Sequence, residues 1–347
     1  MTYQTEASFI CSDIEGLLAF WRTEFEEHGL HVHEPNPGIL IAEADFARIT
    51  LMTSASGCCL RIDRAELDIL PDIRTGLDEH MAEFAPDLAP LTWSGKFDVG
   101  IHPPSFVQAN VASCEPLGAS WYHMTLQVSP DKLQRFAGQN WHFRLLRQSN
   151  ANRAPVWPLL NAKGTIDWPN GEDTLTDRVF TTRSLDLHSG SLEFDIFRHE
   201  NGPTCEWAAG DPSGQIVGLM GPGGKAGPEA NDGDHVLVGG DETAVPAILR
   251  GLFTLPRTCG GTICLLVRNR NDCQPVPNGL KVDWLYRDDG ATEDDLVSTI
   301  TSFETPKDRP CRLWFAASQR MANVIRNHGR NVLHLPRRNM LVTAYWS

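Results

Sequence analysis

The sequence lacks the features of a membrane protein, a secreted protein or a nucleic-acid-binding protein. It contains no apolar run of the roughly 18 residues needed to span a bilayer, and no basic segment near its start that would indicate a signal peptide. Positive charge is scarce, because 30 Lys and Arg residues stand against 44 Asp and Glu residues, giving a net charge of −14. Nucleic-acid backbones are bound by basic surfaces, so we expect a cytoplasmic protein with neither a membrane nor a nucleic-acid partner.

Cysteine patterns that hold metals are also missing. The nine cysteines lie at positions 11, 58, 59, 114, 205, 259, 264, 273 and 311, and none forms a Cys-x-x-Cys pair. This spacing does not match the usual zinc or iron–sulfur ligand sets. An odd number of cysteines without a signal peptide favours reduced thiols over a disulfide scaffold. We therefore expect no iron–sulfur cluster within the chain.

Charge and residue patterns predict three domains within the 347 residues. Residues 1–95 hold five Arg, no Lys and seventeen acidic residues, whereas the other 252 residues hold 25 basic and 27 acidic residues. Such an asymmetry indicates a domain boundary, and residues 1–95 are predicted to form a small acidic α+β domain. An antiparallel β-barrel domain is predicted over 100–228, and an α/β domain with a parallel sheet over 229–347.

Apolar periodicity places the individual elements. In the first domain we expect two helices and three strands, at 13–28 and 67–84 and at 39–41, 48–52 and 58–62. For the barrel we expect a long polar loop over 147–177 and strands at 122–128, 142–146, 179–185, 191–197 and 215–219. In the third domain, strands 234–238, 262–267, 281–286 and 312–316 alternate with helices 243–255, 293–303 and 319–326. A barrel followed by such a domain suits flavin and nicotinamide chemistry.

One short motif could bind a flavin nucleotide. Arg178-Val179-Phe180-Thr181 begins a predicted strand, directly after the long loop. The guanidinium can pair with a phosphate, the ring can cover the isoalloxazine, and the hydroxyl can hydrogen-bond its edge. A surface salt bridge of Arg178 is the alternative interpretation.

Two glycine-containing turns follow that motif. The segment from Gly202 to Trp207 reads Gly-Pro-Thr-Cys-Glu-Trp and enters a helix, so its backbone N–H groups could hold a pyrophosphate. The segment from Gly239 to Pro246 follows a predicted strand but lacks the Gly-x-Gly-x-x-Gly spacing of a Rossmann fingerprint. Between them, the glycines from 221 to 227 do not form a Walker motif and are interpreted as a domain connector.

Taken in order, these segments and the terminal Ala344-Tyr345-Trp346 resemble the siderophore-interacting proteins, which are flavin-dependent ferric-siderophore reductases related to ferredoxin reductases. The resemblance extends over about 105–347 and is most specific over 234–250. Residues 1–95 resemble a small domain of unknown function that is sometimes fused ahead of such reductases, here as an accessory domain. The resemblance implies FAD in the barrel groove, NAD(P)H at the Gly240–Pro246 loop, and reduction of a chelated ferric ion to the ferrous state.

The resemblance also implies which residues bind the cofactors. They are Arg178, Phe180, Thr181, Thr182, Arg183, His199, Gly202, Pro203, Thr204, Cys205, Trp207, Gly240, Asp241, Glu242, Thr243, Ala244, Pro246, Arg268, Arg270, Ala317, Tyr345 and Trp346. No acid–base pair is expected, because electrons pass from the nicotinamide cofactor through the flavin to iron. No metal ligands are predicted.

Several positions depart from the family pattern. Phe180 stands where the family usually has Tyr, and Ala317-Ser318 stands where it commonly has Gly-Glu, near the expected nicotinamide. Two alternatives therefore stay open: a flavin reductase with a quinone or free ferric chelate as acceptor, and a protein that binds flavin or ferric siderophore without efficient turnover. A ferredoxin could then replace NAD(P)H as the electron donor.

Two charged groups allow more than one interpretation. Arg268 and Arg270 follow a predicted strand and could clamp the 2′-phosphate of NADPH, or could be solvated charges at the start of a loop. The group of His28, His31 and His33, with Glu27 and Glu34, could bind a metal ion. A polar turn after a helix is the favoured interpretation of that group, since His is common at helix C-termini.

Overall fold

The computed structural model of the protein describes residues 3–28, 30–44, 46–65, 67–138, 140–150, 152–200, 202–223, 227, 230–277, 280–306 and 308–346. The chain divides into two compact units. The first comprises Met1–Phe106 and Gln148–Leu175, and the second comprises Val107–Arg147 and Thr176–Ser347.

Strands and helices are numbered in chain order. The strands are β1 (Tyr3–Phe9), β2 (His31–Asn36), β3 (Ile39–Ala44), β4 (Ala47–Ser54), β5 (Gly57–Ala65), β6 (Phe106–Leu117), β7 (Trp121–Gln127), β8 (His142–Gln148), β9 (Leu159–Leu160), β10 (Ile166–Asp167), β11 (Leu175–Asp186), β12 (Ser191–Phe197), β13 (Ile216–Gly223), β14 (His235–Gly240), β15 (Gly260–Val267), β16 (Val282–Tyr286), β17 (Cys311–Ser318) and β18 (Met340–Trp346). The helices are α1 (Ile14–Glu27), α2 (Leu70–Phe84), α3 (Pro130–Leu133), α4 (Pro203–Ala209), α5 (Val245–Thr254), α6 (Glu293–Ser302) and α7 (Gln319–Asn331). Within the described ranges, none of the helices is long and apolar enough to cross a bilayer.

The first unit is built on a five-stranded antiparallel sheet in the order β1-β5-β4-β3-β2. Helix α1 begins after Asp13, whose side chain accepts a hydrogen bond of 2.9 Å from the backbone N–H of Gly16. Its apolar stripe of Leu17, Trp21 and Phe25 is buried in one core with residues of the sheet and of α2. Both predicted helices and the three predicted strands are confirmed here, whereas β1 and β2 were not predicted.

Residues 148–175 belong to the first unit although they interrupt the barrel in sequence. They contain the paired strands β9 and β10, where the sequence predicted only a loop. Helix α2 holds this segment: Thr75 Oγ1 accepts a 2.9 Å hydrogen bond from Ile166 N, and Arg74 Nη1 donates to the Gly164 carbonyl at 3.2 Å. The three predicted domains, with boundaries at 1–95, 100–228 and 229–347, stay a prediction, because the division into two compact units does not test them.

The second unit begins with a closed antiparallel barrel in the strand order β11-β12-β7-β6-β13-β8. Alternating side chains fill its interior, where Phe143, Phe194 and Leu219 are buried. Five of the six strands were predicted from the sequence, and β6 was not. The barrel itself is confirmed.

A five-stranded parallel sheet in the order β16-β15-β14-β17-β18 completes the second unit. Helix α5 shares one core with Val236 and Val238 of β14, while α6 and α7 share the other core with Leu237. Helices therefore cover both faces, as in doubly wound α/β folds. The predicted α/β domain is confirmed, and β18 is the one strand of this sheet that the sequence did not predict.

The cysteines are free thiols in both units. All nine lie in the described ranges and none is in a disulfide. Burial raises the pKa of Cys264 on β15 to about 12 and that of Cys311 on β17 to about 11. Burial likewise raises the pKa of Cys114 in the barrel to about 11. These thiols therefore keep their protons at neutral pH.

One buried carboxylate joins the barrel to the parallel sheet. Asp272 lies just beyond β15 and is fully buried. Its Oδ1 accepts hydrogen bonds from Ala119 N at 2.6 Å and Ser120 N at 3.0 Å, and its Oδ2 accepts from Ser120 Oγ at 2.6 Å. Oδ2 also accepts a hydrogen bond of 3.4 Å from the backbone N–H of Asn269, the residue that caps the short turn containing Asp272. The β6–β7 turn of the barrel is thus fixed to the end of β15.

Replacing Asp272 with Ala should destabilise the second unit markedly. The change leaves these donors without their acceptor, and each buried unsatisfied donor costs about 1–3 kcal/mol. We expect the free energy of unfolding to fall by at least about 3 kcal/mol, measured by urea denaturation followed by tryptophan fluorescence. The matched control is Asp283→Ala, which removes an exposed carboxylate on β16 and should cost less than about 0.5 kcal/mol. Equal losses in the two variants would contradict the role of Asp272.

Candidate functional site

Strand β11 presents the predicted flavin motif on the barrel. The Phe180 ring is half-buried, with its centroid 5.0 Å from that of Phe194. Thr181 is buried, and its Oγ1 lies 3.0 Å from Nδ1 of His142. Arg178 at the exposed end of the motif donates from Nη1 to the neighbouring Asp177 carbonyl at 2.7 Å. The strand therefore lines up a guanidinium, a ring and a hydroxyl on one element.

A second guanidinium, which the sequence interpretation missed, lies beside Arg178. The pKa of Arg147 is lowered by burial and by the positive charge of Arg178. Its Nη2 donates to the Pro203 carbonyl at 3.1 Å, and its guanidinium lies 5.6 Å from the centroid of the Trp207 ring. Its Nε is buried and has no hydrogen-bond partner among the described residues. Two like charges with an unused donor form a surface that favours an anion.

The glycine-led turn before α4 is closely packed. A Cβ at Gly202 would lie 2.4 Å from the His199 ring, so only glycine fits this position without movement. The His199 ring is stacked on that of Phe197, with the centroids 6.3 Å apart. Cys205 donates from Sγ to the Phe197 carbonyl at 3.1 Å, and Thr204 is buried beside it. The turn and α4 are thereby fixed to the end of β12.

Other members of the predicted set are held by partners within the protein. Arg183 pairs with the buried carboxylate of Asp195 and donates to Gln274 Oε1 at 2.6 Å. The carbonyl of Thr182 accepts a hydrogen bond from Arg250, a residue of α5. The Thr182 hydroxyl is fully buried and lacks a hydrogen-bond partner among the described residues.

These observations fit an FAD molecule on the barrel. The unpartnered atoms, Thr182 Oγ1 and Arg147 Nε, lie on adjacent strands of the barrel, and buried polar atoms normally find partners. FAD could provide partners for both atoms, because its flavin ring has hydrogen-bonding atoms and its pyrophosphate is negatively charged.

The loop after β14 surrounds a buried carboxylate. Asp241 accepts hydrogen bonds from Thr243 N at 3.0 Å, Thr243 Oγ1 at 2.5 Å and Trp346 Nε1 at 2.8 Å. Burial raises the pKa of Asp241 despite these bonds. A Cβ at Gly240 would lie 2.6 Å from a methyl carbon of Ile248 and 2.9 Å from Cβ of Ala244, so the loop turns tightly into α5. Pro246 occupies the first turn of that helix.

Glu242 links the same loop to both of its neighbours. Its carboxylate receives Arg287 from the end of β16 through bonds of 2.7 and 3.1 Å. Its backbone carbonyl accepts from Nε1 of Trp121, on barrel strand β7, at 3.1 Å. Two parallel hydrogen bonds between an arginine and a carboxylate fix the orientation of both side chains, and here they fix the Glu242 side chain of the loop. Arg287 and Trp121 were missed because each comes from a distant part of the sequence.

Strand β18 connects the loop with the flavin motif. The Tyr345 hydroxyl is hydrogen-bonded to the Thr181 side chain, and burial raises the pKa of Tyr345. Its ring is edge-on to that of His142, with the centroids 6.1 Å apart. The next residue, Trp346, donates to Asp241, so β18 brings the barrel motif and the β14 loop together. Tyr345 is the residue at which the two halves of the candidate site meet.

The remaining predicted positions lie outside this junction or have structural roles. Arg268 and Arg270 are ion-paired with Asp288 at 3.7 Å and Asp289 at 3.3 Å, respectively. Ala317 is buried in β17, opposite Ala344 in the sheet. The next residue, Ser318, caps α7 by accepting a hydrogen bond of 3.3 Å from the Met321 N–H.

The histidines that the sequence interpretation grouped do not form one cluster. His28 lies with Glu24 and His80, whereas His31 and His33 lie with Glu43. Glu34 is engaged by Arg22 at 2.6 Å, and the side chain of Glu27 lies outside the described part. The grouping failed because His28 caps α1, whereas His31 and His33 belong to the separate strand β2.

The barrel with its adjacent Arg147 and Arg178 guanidinium groups, followed by a parallel sheet that helices cover on both faces, defines a two-part fold. Two family models match this part of the chain, the siderophore-interacting FAD-binding domain over residues 110–226 and the siderophore-interacting protein over residues 233–347. Together they cover about two thirds of the sequence. The chain belongs to the siderophore-interacting protein family, as its motifs indicated, and residues 110–226 form the FAD-binding domain.

Individual relatives agree with this assignment. An uncharacterised protein of Mycobacterium tuberculosis (strain ATCC 25618 / H37Rv) is 37% identical over 113 residues, which are 32% of this chain and 40% of that relative. The chain thus matches less than half the length of that relative. Ferric vibriobactin reductase ViuB of Vibrio cholerae is 28% identical over 209 residues, 59% of this chain and 76% of ViuB. The crystal structure of the siderophore-interacting protein SipS from Aeromonas hydrophila has the same fold, with a TM-score of 0.57 and 22% identity over 70% of this chain and 91% of SipS.

The buried carboxylate of Asp241 should make stability depend on pH in a defined direction. Burial raises its pKa above 3.8 in the folded state, so the folded protein binds this proton more tightly than the unfolded chain does. The contribution of Asp241 to stability is therefore most favourable at low pH and declines as the pH rises from 3.8 through the folded-state pKa. Asp241→Asn has no charge to bury, so the variant should gain stability relative to the parent as the pH rises.

Urea denaturation at a series of pH values between about 4 and 8 measures this difference. Asp283→Asn removes an exposed carboxylate and is the matched control, for which we expect no such trend. A stability difference between Asp241→Asn and the parent that stays constant over this range would contradict the burial of a costly charge.

Proposed function

We propose that this protein is an FAD-dependent reductase that takes electrons from NAD(P)H and reduces ferric siderophores, so that ferrous iron is released. The observation that carries the proposal is the junction at Tyr345, where the flavin motif of β11 meets the loop after β14. The match to ViuB, whose name describes a ferric vibriobactin reductase, supports the choice of substrate class.

The barrel residues would hold FAD by three kinds of contact. Arg178 and Arg147 would neutralise the pyrophosphate, since their charges already lie close enough to lower the pKa of Arg147. Phe180 would cover one face of the isoalloxazine as a ring without a hydroxyl. The Thr181 and Thr182 hydroxyls would hydrogen-bond its polar edge. When bound, FAD supplies two-electron oxidation of a nicotinamide and one-electron reduction of iron.

The loop from Gly240 to Pro246 would receive the nicotinamide cofactor. It lies at the carboxyl end of a central parallel strand, the position at which α/β folds bind dinucleotides. Its shape is fixed from two sides, by Trp346 on Asp241 and by Arg287 on Glu242. Arg268 and Arg270 would contact a 2′-phosphate by exchanging their aspartate partners for it. NADPH would then be preferred over NADH by a modest factor.

A second candidate function is binding of flavin or ferric siderophore without efficient turnover. The observation that favours it is the position of Ser318, which ends β17 and caps α7 with its hydroxyl. The family commonly has Glu at this position, so an acidic side chain near the expected nicotinamide is replaced by a helix cap. A ferredoxin could supply the electrons in that case.

Anaerobic reduction of the purified protein tests the proposed function. With FAD bound, NADPH should bleach the visible flavin spectrum, and a ferric siderophore added afterwards should restore it while a ferrous chelator takes up iron. If Arg268 and Arg270 clamp the 2′-phosphate, NADPH should act at about five- to hundredfold lower concentration than NADH, and salt should erode the difference.

Other results of this experiment lead to different conclusions. Bound FAD that neither donor reduces would favour the binding function or a ferredoxin donor. Reduced flavin that is reoxidised by a quinone or a free ferric chelate, and not by a ferric siderophore, would identify another acceptor. A protein that takes up no FAD at all would overturn the proposal.

Arg147 and Arg178 should contribute separately to FAD affinity. Each would provide a charge-assisted contact of about 1.5–3 kcal/mol, so Arg147→Ala or Arg178→Ala should weaken FAD binding at least about tenfold. Titration of the flavin-free protein with FAD, followed by flavin fluorescence, measures the affinity. Arg309→Ala is the matched control, because Arg309 is an exposed arginine that pairs with Asp308 beside the opposite end of the sheet. An unchanged affinity in either test variant would remove that residue from the site.

A further inference from the structure

The first unit contains a group of metal-ligating side chains that the proposed reductase does not use. Glu24, His28 and His80 each offer one ligand atom, and these atoms all lie within 4.8 Å of one another. All three residues belong to the first unit. We propose that Glu24, His28 and His80 form a binding site for a divalent transition-metal ion, with Fe²⁺ as its natural occupant.

The helices place these ligands on facing surfaces. Glu24 lies in the last turn of α1, and His28 caps that helix with a backbone N–H that donates to the Glu24 carbonyl at 3.0 Å. Their ligand atoms lie within 4.8 Å of each other. His80 comes from α2, and its ring centroid lies 5.0 Å from that of His28 and 6.3 Å from that of Trp21. Metal binding would therefore join the end of α1 to α2.

The protonation of His28 suits a ligand. Its Nδ1 lies 2.9 Å from the backbone carbonyl of Glu24, and a carbonyl can only accept a hydrogen bond. In the neutral ring Nδ1 must therefore carry the proton, which leaves the Nε2 lone pair available to a metal. Metal-bound histidines commonly have their second nitrogen held in this way by a carbonyl or carboxylate.

His80 also has an unused ring nitrogen. Oε2 of Glu24 lies 3.1 Å from its Nδ1, and the exposed Glu83 carboxylate lies 3.7 Å from the same atom. Neither contact has hydrogen-bond geometry, so this buried Nδ1 has no hydrogen-bond partner among the described residues. A cation between the imidazole and the carboxylate would satisfy both.

The distances allow the site to close around an ion. Ligand atoms about 2.1 Å from a metal lie about 3 Å from one another, so the present separation must shrink by under about 2 Å. A change in the side-chain torsions of Glu24 can supply this movement while the hydrogen bond of His28 Nδ1 stays in place. Glu83 lies close enough to become a fourth ligand.

The ligand types select the class of metal. Two imidazoles and one carboxylate suit divalent first-row metals, and this set with open positions is the arrangement of non-haem Fe²⁺ sites. No thiol belongs to the group, which argues against a closed structural zinc site. The choice of Fe²⁺ as the natural occupant rests on the proposed function, which produces that ion, whereas metal binding itself does not.

The second histidine group provides a matched control. His31 and His33 lie with Glu43, but the Glu43 carboxylate is already engaged by Arg48. Substitution of His31 and His33 removes two imidazoles from the same unit without changing the proposed ligands. This control variant therefore shows whether metal binding needs the proposed ligands in particular or any exposed histidines.

Equilibrium dialysis of the full-length protein against Co²⁺, followed by metal analysis, tests the site. It needs neither siderophore nor electron donor, so its outcome is independent of reductase activity. We expect one Co²⁺ per chain at pH 7.5. His28→Gln, His80→Gln and Glu24→Gln should each weaken binding at least about tenfold. Loss of an outer-shell partner already costs about 10–100-fold in metal affinity, and loss of a direct ligand should cost no less.

The double variant His31→Gln/His33→Gln should bind Co²⁺ like the parent. His28 is exposed, so His28→Gln remains an informative variant even if His80→Gln is poorly folded. Co²⁺ should also raise the melting temperature of the parent in a concentration-dependent way, and not that of His28→Gln. Absence of binding, or binding that survives His28→Gln, would overturn the site. Anaerobic dialysis against Fe²⁺ should give the same pattern, and binding of Co²⁺ without Fe²⁺ would overturn the assignment of iron.

Discussion

The buried carboxylate of Asp272 is the contact on which the arrangement of the second unit depends. It gathers backbone and hydroxyl donors of Ala119 and Ser120 and fixes the β6–β7 turn of the barrel against the parallel sheet. Two further contacts act in parallel, Arg250 with the carbonyl of Thr182 and Trp121 with the carbonyl of Glu242. Residues of both the barrel and the parallel sheet form the candidate site. These polar contacts therefore determine how its two halves are positioned.

Much of the fold was predictable because its elements have strong periodic patterns. Strand β12 was expected at its observed bounds, and α1 and α5 were placed to within two residues at each end. The missed strands have weaker patterns. In β6 exposed and buried positions alternate only as far as Val111, and the second half of the strand contains Pro116. Strand β18 has two exposed and five half-buried positions, so its sequence does not show a clear buried run.

The candidate site was predictable only where its residues are contiguous. Arg178 to Thr182 could be recognised because the guanidinium, ring and hydroxyls follow one another on one strand. Arg147 and Arg287 come from separate strands and enter the site through tertiary contacts that no local spacing encodes. The histidines show the opposite error. Neighbours in sequence were grouped, although His28 meets His80 across two helices, 52 positions away.

The buried cysteines have a consequence for chemical durability. Ferrous iron and reduced flavins react with oxygen species, and a thiolate is far more easily oxidised than a thiol. Loss of hydration keeps the buried Cys264 and Cys311 and the half-buried Cys114 protonated at neutral pH, since it raises their pKa to about 12, about 11 and about 11. These thiols of the second unit should therefore resist oxidation by the oxygen species that the proposed reductase reaction would produce.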